Sequence, residues 1–414
     1  MRPRARDLQC AGVSQPAPHV SLTARSRDWA WPLGSVAVRI GVGWFLAVAA
    51  SEIWRTNLFG QPNTWNPFEK WDAVHYLAIA NSGYAKTLTP FFPLYPLLLR
   101  ALHVLTFSSI SYSALGLVIS WAAFAGCAIL IRSFMSELGD ARLADFTMLF
   151  MIWSPASVFF LSDYNISLLL FLTLLSCRFL QQDRLVPAAV AASAASLAHP
   201  LGIGVVVAVL VAVALKRRLL HGVLVGAIAV SGIAAWCAWQ LATYGNAFMF
   251  LKEQSFYDKT TEFPFLATFQ AITQVFSVST TDSFRHNNLF VFQIETLASI
   301  VSIAVIAYFV IDLCRRGRRR FPIWLSSLVI YQVLVASTLV RVFPPFASLY
   351  DIGHHVTLNI PLSEIRWDFT SVGLLVAVTA LVRRFPSLRD PMLVASAGMA
   401  IFLQSLFAAG WRFF

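Results

Sequence analysis

The residues best suited to chemistry lie between the first two long apolar runs of the chain. The sequence there reads Glu69-Lys70-Trp71-Asp72-Ala73-Val74-His75-Tyr76, then Asn81-Ser82-Gly83-Tyr84, then Phe91-Phe92-Pro93-Leu94-Tyr95-Pro96. Trp71, Val74, Tyr76 and Leu77 suit a short helix lying on a membrane surface. Asp72 is then a carboxylate at the bilayer edge beside aromatic rings. A carboxylate so placed can take a proton from a hydroxyl as a general base. Its competing role is to cap the helix, which aspartate does well.

Further along, Lys252, Arg285, His286, Arg341, His354 and His355 are cations that could stabilise an anionic leaving group. Arg341 ends an apolar run, where its charge can reach the headgroup level. The bland role of each is a solvated or snorkelling charge. Neighbouring imidazoles such as His354 and His355 point to different sides of a helix or strand and make a poor metal site. Cys10, Cys127, Cys177, Cys237 and Cys314 are scattered, without a CxxC pair or a His/Cys cluster. No metal ligands are assigned, and a divalent cation stays open as a cofactor.

These residues must be held by the apolar remainder. The chain has 414 residues, 58% hydrophobic and 12% charged, with a mean hydropathy of +0.68. Soluble domains carry roughly 45–50% apolar and about 25% charged residues, so a soluble enzyme, a disordered regulator and a disulfide scaffold are all excluded. The reading is an all-α polytopic membrane protein. At about 20 residues per crossing, spans fall near 33–53, 111–132, 143–161, 165–181, 186–199, 200–215, 219–243, 290–313, 322–342, 368–383 and 391–409, about eleven in all. The runs 186–199 and 200–215 are short and separated by Pro200, so one broken hairpin is the alternative there.

The net charge of +11 is topological rather than nucleic-acid-binding. Residues 1–30 form a polar, Arg- and Pro-containing arm read as disordered and cytoplasmic. With that end inside, the cytoplasmic loops contain Arg132 and Arg142, Arg184, Lys216 to Arg218, Arg315 to Arg320, and Arg383, Arg384 and Arg389. All are basic, as the positive-inside rule requires. Three long segments then lie outside: 54–110, 244–289 and 343–367. The apolar run 91–107 carries Pro93, Pro96, Arg100 and His103; counting it as a span would invert every later loop, so it is an interfacial or re-entrant helix. The Phe-rich loop 244–289 either covers a lipid-linked ligand or packs on the bundle. Arg39, inside the first span, must face the bundle interior, pair or snorkel.

The run WDAVHYLAIANSGY followed by FFPLYPLLLR resembles the first outer loop of PIG-V-like mannosyltransferases. These are polyprenol-dependent GT-C glycosyltransferases related to GPI mannosyltransferase 2. Ser154-Pro155-Ala156-Ser157 with Tyr164 is similar to that family's Asn-Pro-Ala-Ser segment ahead of its Tyr-Ser-Glu motif. Tyr244-Gly245-Asn246-Ala247-Phe248 with Gln254 is a weaker match. The resemblance covers about residues 33–260. It departs at Tyr164-Asn165-Ile166, where the family glutamate is missing and Asp163 stands three positions ahead. It departs again at His199-Pro200-Leu201-Gly202, where the family has an arginine shortly before the glycine.

The resemblance implies a GT-C fold and transfer of mannose or a related hexose from a polyprenyl-phosphate donor to an acceptor hydroxyl. The acceptor is a glycolipid, a polymer or a protein, and the transfer takes place on the outer or luminal face with inversion. It makes Asp72 the base. Trp71, His75, Tyr76, Tyr84, Asp163, Tyr164, His199 and Gln254, with Arg341, become substrate contacts. The short length and compact loops point to a bacterial plasma membrane rather than the ER. A lipid-linked sugar transporter or flippase is the runner-up; the absence of related halves in the sequence counts against it. A non-catalytic partner of another transferase is the third reading.

Overall fold

A computed structural model describes residues 22–53, 66–216, 219–257, 259–275, 287–315, 321–343, 358–361, 366 and 371–408. The chain is all-α in class. The helices are α1 (Leu22–Ile53), α2 (Asp72–Ser82), α3 (Leu94–Leu105), α4 (Tyr112–Met135), α5 (Ala141–Ile152), α6 (Ser157–Leu161), α7 (Ile166–Gln181) and α8 (Leu185–Ala198). They continue with α9 (Ile203–Leu215), α10 (Leu219–Tyr244), α11 (Met249–Lys252), α12 (Leu266–Val275), α13 (Asn287–Cys314), α14 (Ile323–Ala336), α15 (Val372–Arg384) and α16 (Arg389–Ala408). A small antiparallel sheet, in the order β1 (Lys259–Thr261), β2 (Leu339–Phe343), β3 (Leu358–Pro361), joins two segments far apart in sequence.

Five helices contain stretches long and apolar enough to cross a membrane: Trp29–Ala50, Tyr112–Leu138, His221–Tyr244, Thr296–Cys314 and Pro386–Ala408. Large apolar side chains on them, among them Phe45, Val223, Leu297 and Val394, are exposed. An outward apolar band of this kind fits a lipid bilayer environment. The remaining expected spans are shorter helices, each with a local reason. The stretch 143–161 is interrupted because α5 stops at Ile152 and Pro155, which lacks an N–H and disfavours helix in the residue before it, opens a turn ahead of α6. The stretch 322–342 is helical only to Ala336; its end is strand β2, paired on both edges. The helix in 368–383 is the 13-residue α15. At the other end of the chain, α1 already begins at Leu22, inside the segment 1–30 expected to be unstructured; residues 1–21 lie outside the described residues.

The run 186–215 is two helices with a sharp break. His199 is extended and Pro200–Gly202 form a single 3-10 turn, so α8 folds back onto α9. Gly202 makes the break possible: a Cβ there would lie 1.9 Å from the carbonyl oxygen of Ala195. Ala188, Ala189, Ala192 and Ala195 are fully buried on α8, and such small side chains let it lie close to α7 and α10. The main apolar core is built from α4, α5, α7, α8, α9, α14 and α15. α16 packs on α1.

The two ends of the bundle differ. One carries the ion pairs Arg132–Asp145, Arg178–Glu137 and Lys216–Asp183, which link the C-terminal ends of α4, α7 and α9 to α5 and to neighbouring turns. At the opposite end, α2 and α3 lie against the start of α4. The 12-residue α3, about 18 Å long at 1.5 Å per residue, buries Tyr95 and Leu99 and exposes Leu97, Val104 and Leu105. A second apolar cluster, with Tyr76, Ile79, Phe91, Tyr95 and Leu99, holds this end together.

Candidate active site

The loop that delivers Asp72 is anchored by the turn between α6 and α7. Asn66, fully buried, accepts from the Phe68 amide through its side-chain oxygen (2.9 Å) and donates to Asp163 Oδ2 (2.8 Å). Ser113 of α4 donates to the same oxygen at 3.0 Å. The next residue, Tyr164, is also fully buried. Its hydroxyl donates to the Lys70 carbonyl (3.1 Å) and accepts from the Asp72 amide (3.2 Å). Asp163 and Tyr164 therefore hold the two ends of the segment 66–72. Between them Trp71 is forced to φ 53°, ψ −116°, a region where an L-residue is strained by about 1–3 kcal/mol and persists only when its surroundings hold it.

Asp72 is the first residue of α2, not its cap; the preceding Trp71 makes no side-chain capping bond. Ser111 and Ser371 fill that role for α4 and α15. The Asp72 carboxylate instead accepts from Arg366 Nη1 at 2.6 Å, with the two side chains 22% and 6% exposed. The guanidinium lies over the rings of Phe159 (5.7 Å) and Tyr164 (5.8 Å), a cation–π arrangement that suits arginine. Lys259 of β1 is within electrostatic reach of Asp72, His75 and His199, and its ammonium lies over Tyr257. The β1–β2 register sets Arg341 opposite Lys259.

Burial by itself pushes the Asp72 carboxyl up. Arg366, Lys259 and His75 outweigh it and hold the group below the ordinary carboxylate value, so it is ionised at neutral pH. His75 stacks on Phe91 (4.6 Å) and meets Tyr257 edge-on; burial lowers it, partly opposed by Asp72, and leaves a neutral imidazole. Tyr257 is pushed up to about 12, first by burial and then by the charge of Asp72. Asp163 goes the other way. It is fully buried, its Oδ1 has no hydrogen-bond partner, and burial pushes it well above the carboxylate range. A Cβ on Gly116 would lie 2.8 Å from that oxygen. One site thus contains two carboxyls that their surroundings push in opposite directions.

Of the residues expected at the site, Trp71, Asp72, His75, Tyr76, Asp163 and Tyr164 come together. Tyr76 is buried, packs on Phe91 and Tyr95, and bonds to Asn165. His199 arrives from the α8–α9 break, where its Nδ1 accepts from the Leu201 amide. Tyr84 lies at the edge of this group, within electrostatic reach of Tyr76: its hydroxyl donates to the Phe91 carbonyl and its ring packs on Trp236 and Trp239. Gln254 is half-buried on the 3-10 turn Glu253–Tyr257, and its side chain makes no hydrogen bond among the described residues. Lys252 is exposed on α11, and Arg285, His286, His354 and His355 lie outside the described residues.

Arg366, Lys259 and Asn66 were not anticipated. Arg366 did leave a signal: an arginine just before an apolar helix on the face that the positive-inside rule keeps poor in cations. Among the described residues, no group of three or more His, Cys, Asp or Glu side chains could hold a metal ion.

What the cluster can do follows from its charges. A carboxylate ringed by a guanidinium, an ammonium and aromatic faces can bind an anion through its cations and accept a proton through its carboxylate. No protein-family model, curated protein or solved structure matches the chain.

Proposed function

We propose that the protein is a membrane glycosyltransferase of GT-C type. In this reading it moves mannose or a related hexose from a polyprenyl-phosphate carrier to an acceptor hydroxyl on the outer or luminal face. The observation that carries the reading is the half-buried Asp72–Arg366 pair, with Lys259 beside it, at one end of an apolar helical bundle. The resemblance of WDAVHYLAIANSGY and FFPLYPLLLR to PIG-V-like mannosyltransferases supports it. So does the position of the basic ion-paired loops at the far end of the bundle, the end that the positive-inside rule assigns to the cytoplasm. About eleven crossings, a cytoplasmic N-terminus and a bacterial plasma membrane complete the reading.

In the reaction, the bond between the anomeric carbon and the phosphate oxygen breaks, and the electron pair leaves with the polyprenyl phosphate. The acceptor oxygen attacks the opposite face of the sugar and its proton passes to Asp72. The configuration inverts, as in the base half of an inverting glycosidase. Arg366 and Lys259 offset the charge that develops on the phosphate. The lipid tail stays in the bilayer while the sugar meets the headgroup region.

The test is transfer from radiolabelled polyprenyl-phosphate-mannose in membranes containing the full chain. The wild type should transfer label and Asp72→Ala should not; undiminished transfer by the variant removes Asp72 as base. One observation favours a second reading. The α8–α9 break beside the site is the kind of interruption transporters use around a ligand. Label that crosses the membrane without being transferred would favour the flippase.

A further inference from the structure

The Asp72–Arg366 pair presents a problem for the chemistry just proposed. A general base works best when it is free to take a proton and its basicity is near the working pH, yet this carboxylate accepts a 2.6 Å bond from a guanidinium. Arginine does not lose its proton in proteins, so the bond cannot be relieved by titrating Arg366. The carboxylate is released only if another anion takes the guanidinium.

The geometry allows such an exchange. The bond uses one nitrogen, Nη1, on one oxygen, Oδ2, rather than the two-pronged contact that an arginine and a carboxylate make when locked together. The guanidinium also lies over the adjoining faces of Phe159 and Tyr164, contacts that do not involve the carboxylate. The backbone that carries the carboxylate is likewise held independently of the guanidinium, through the Asp72 amide on the Tyr164 hydroxyl. Each partner can therefore keep its position when the bond between them is lost. The Asp72 side chain is 22% exposed, so the pair is reachable, and Lys259 adds a second cation within electrostatic range.

We propose that Arg366 is a shared cation. In the ligand-free protein it holds Asp72, and the phosphate of a lipid-linked donor takes it over, so that binding the donor and freeing the carboxylate are one event. The inference rests on the lipid-phosphate reading above and adds to it a competition between Asp72 and the ligand for one guanidinium. That competition gives the test two signs: removing the carboxylate's charge must make phosphate bind more tightly, and removing the guanidinium must make it bind more weakly.

The experiment is binding of a polyprenyl monophosphate to the full-length protein in nanodiscs, with the uncharged polyprenol as control. Asp72→Asn should bind the phosphate about tenfold more tightly than wild type, equivalent to about 1.4 kcal/mol. Arg366→Gln should bind it at least tenfold more weakly, and polyprenol should not distinguish the three proteins. If Asp72→Asn does not fold, Asp72→Ala takes its place with the same expected sign. Equal or weaker phosphate binding by the folded carboxylate variant overturns the shared-cation proposal while leaving the lipid-phosphate reading intact. Wild-type binding that does not distinguish phosphate from polyprenol overturns both.

Discussion

The two ends of the bundle use the same kind of interaction for opposite ends. At the basic end, Arg132–Asp145, Arg178–Glu137 and Lys216–Asp183 pair side chains that are between 20% and 73% exposed. At the other, Asp72 and Arg366 pair at 22% and 6%. Each basic-end pair has at least one partner 41% or more exposed, and such pairs gain little, because water and salt screen the attraction and two long side chains must be ordered. They mark where the chain enters water. The half-buried pair has lost part of its hydration, so removing one partner leaves a charge with less water around it than at the basic end. A protein that needed only an anchor at this end could have used apolar side chains, as most of the bundle does. The pair is therefore the place to look for chemistry.

The sharpest way to break this contrast is through activity. Asp72→Asn should lower sugar transfer by about 10²–10⁴-fold, the usual contribution of a positioned base, while Asp145→Asn at the other end should leave transfer within about twofold. Comparable losses in the two variants would remove the distinction between the ends.

Stability should show the same asymmetry on a smaller scale. Arg366→Ala, which strands the Asp72 carboxylate, should destabilise the protein by roughly 3 kcal/mol, against about 0.5 kcal/mol for Arg132→Ala. Thermal unfolding in detergent reads both. Smaller again is Tyr164→Phe, which removes the hydroxyl joining the Lys70 carbonyl to the Asp72 amide and should cost about 1–2 kcal/mol. If Tyr164 positions the base, this variant should also lower kcat without raising KM. An unchanged kcat would reduce Tyr164 to packing.

The two carboxyls of the site should respond to pH in opposite directions. Asp72 lies lower in the folded chain than in the unfolded one. Its contribution is present above the unfolded value, about pH 4, and is lost as pH falls through the folded value. Asp163 lies higher when folded, so its contribution is complete below about pH 4 and is lost as pH rises through the folded value. Asp163→Asn keeps an acceptor for Asn66 and Ser113 and should flatten the decline on the alkaline side. A variant whose unfolding midpoint falls as steeply as wild type's as pH rises above about 4 would show that Asp163 is not the titrating group.

Much of this was readable before any coordinates. A chain 58% hydrophobic and 12% charged points to a lipid environment, and the five long apolar helices are compatible with one. Pro200, which cannot continue a helix, marked the break between α8 and α9. The concentration of Trp, Asp, His and Tyr between 71 and 84 marked the segment that the fold brings to the site. Local rules misled where tertiary partners decide. The apolar stretch 322–342 reads as one helix, yet Leu339–Phe343 is a strand because β1 and β3 offer it backbone partners on both edges. Tyr84 sits in the same motif as Asp72, but its hydroxyl is taken up by Phe91.

By itself, then, the sequence determined the bundle's apolar environment, the basic loops, and the identity of the carboxylate at the start of α2, because these follow from composition and from neighbours a few residues apart. Only the tertiary structure decided what that carboxylate faces. Arg366 is 294 residues away along the chain, Lys259 arrives on a strand, and Asp163 becomes a buried anchor because Asn66 and Ser113 happen to converge on it. Hydrogen bonding acts over about 3 Å and screened charge over roughly 10 Å, and which groups come that close is a property of the folded path, not of the order of residues.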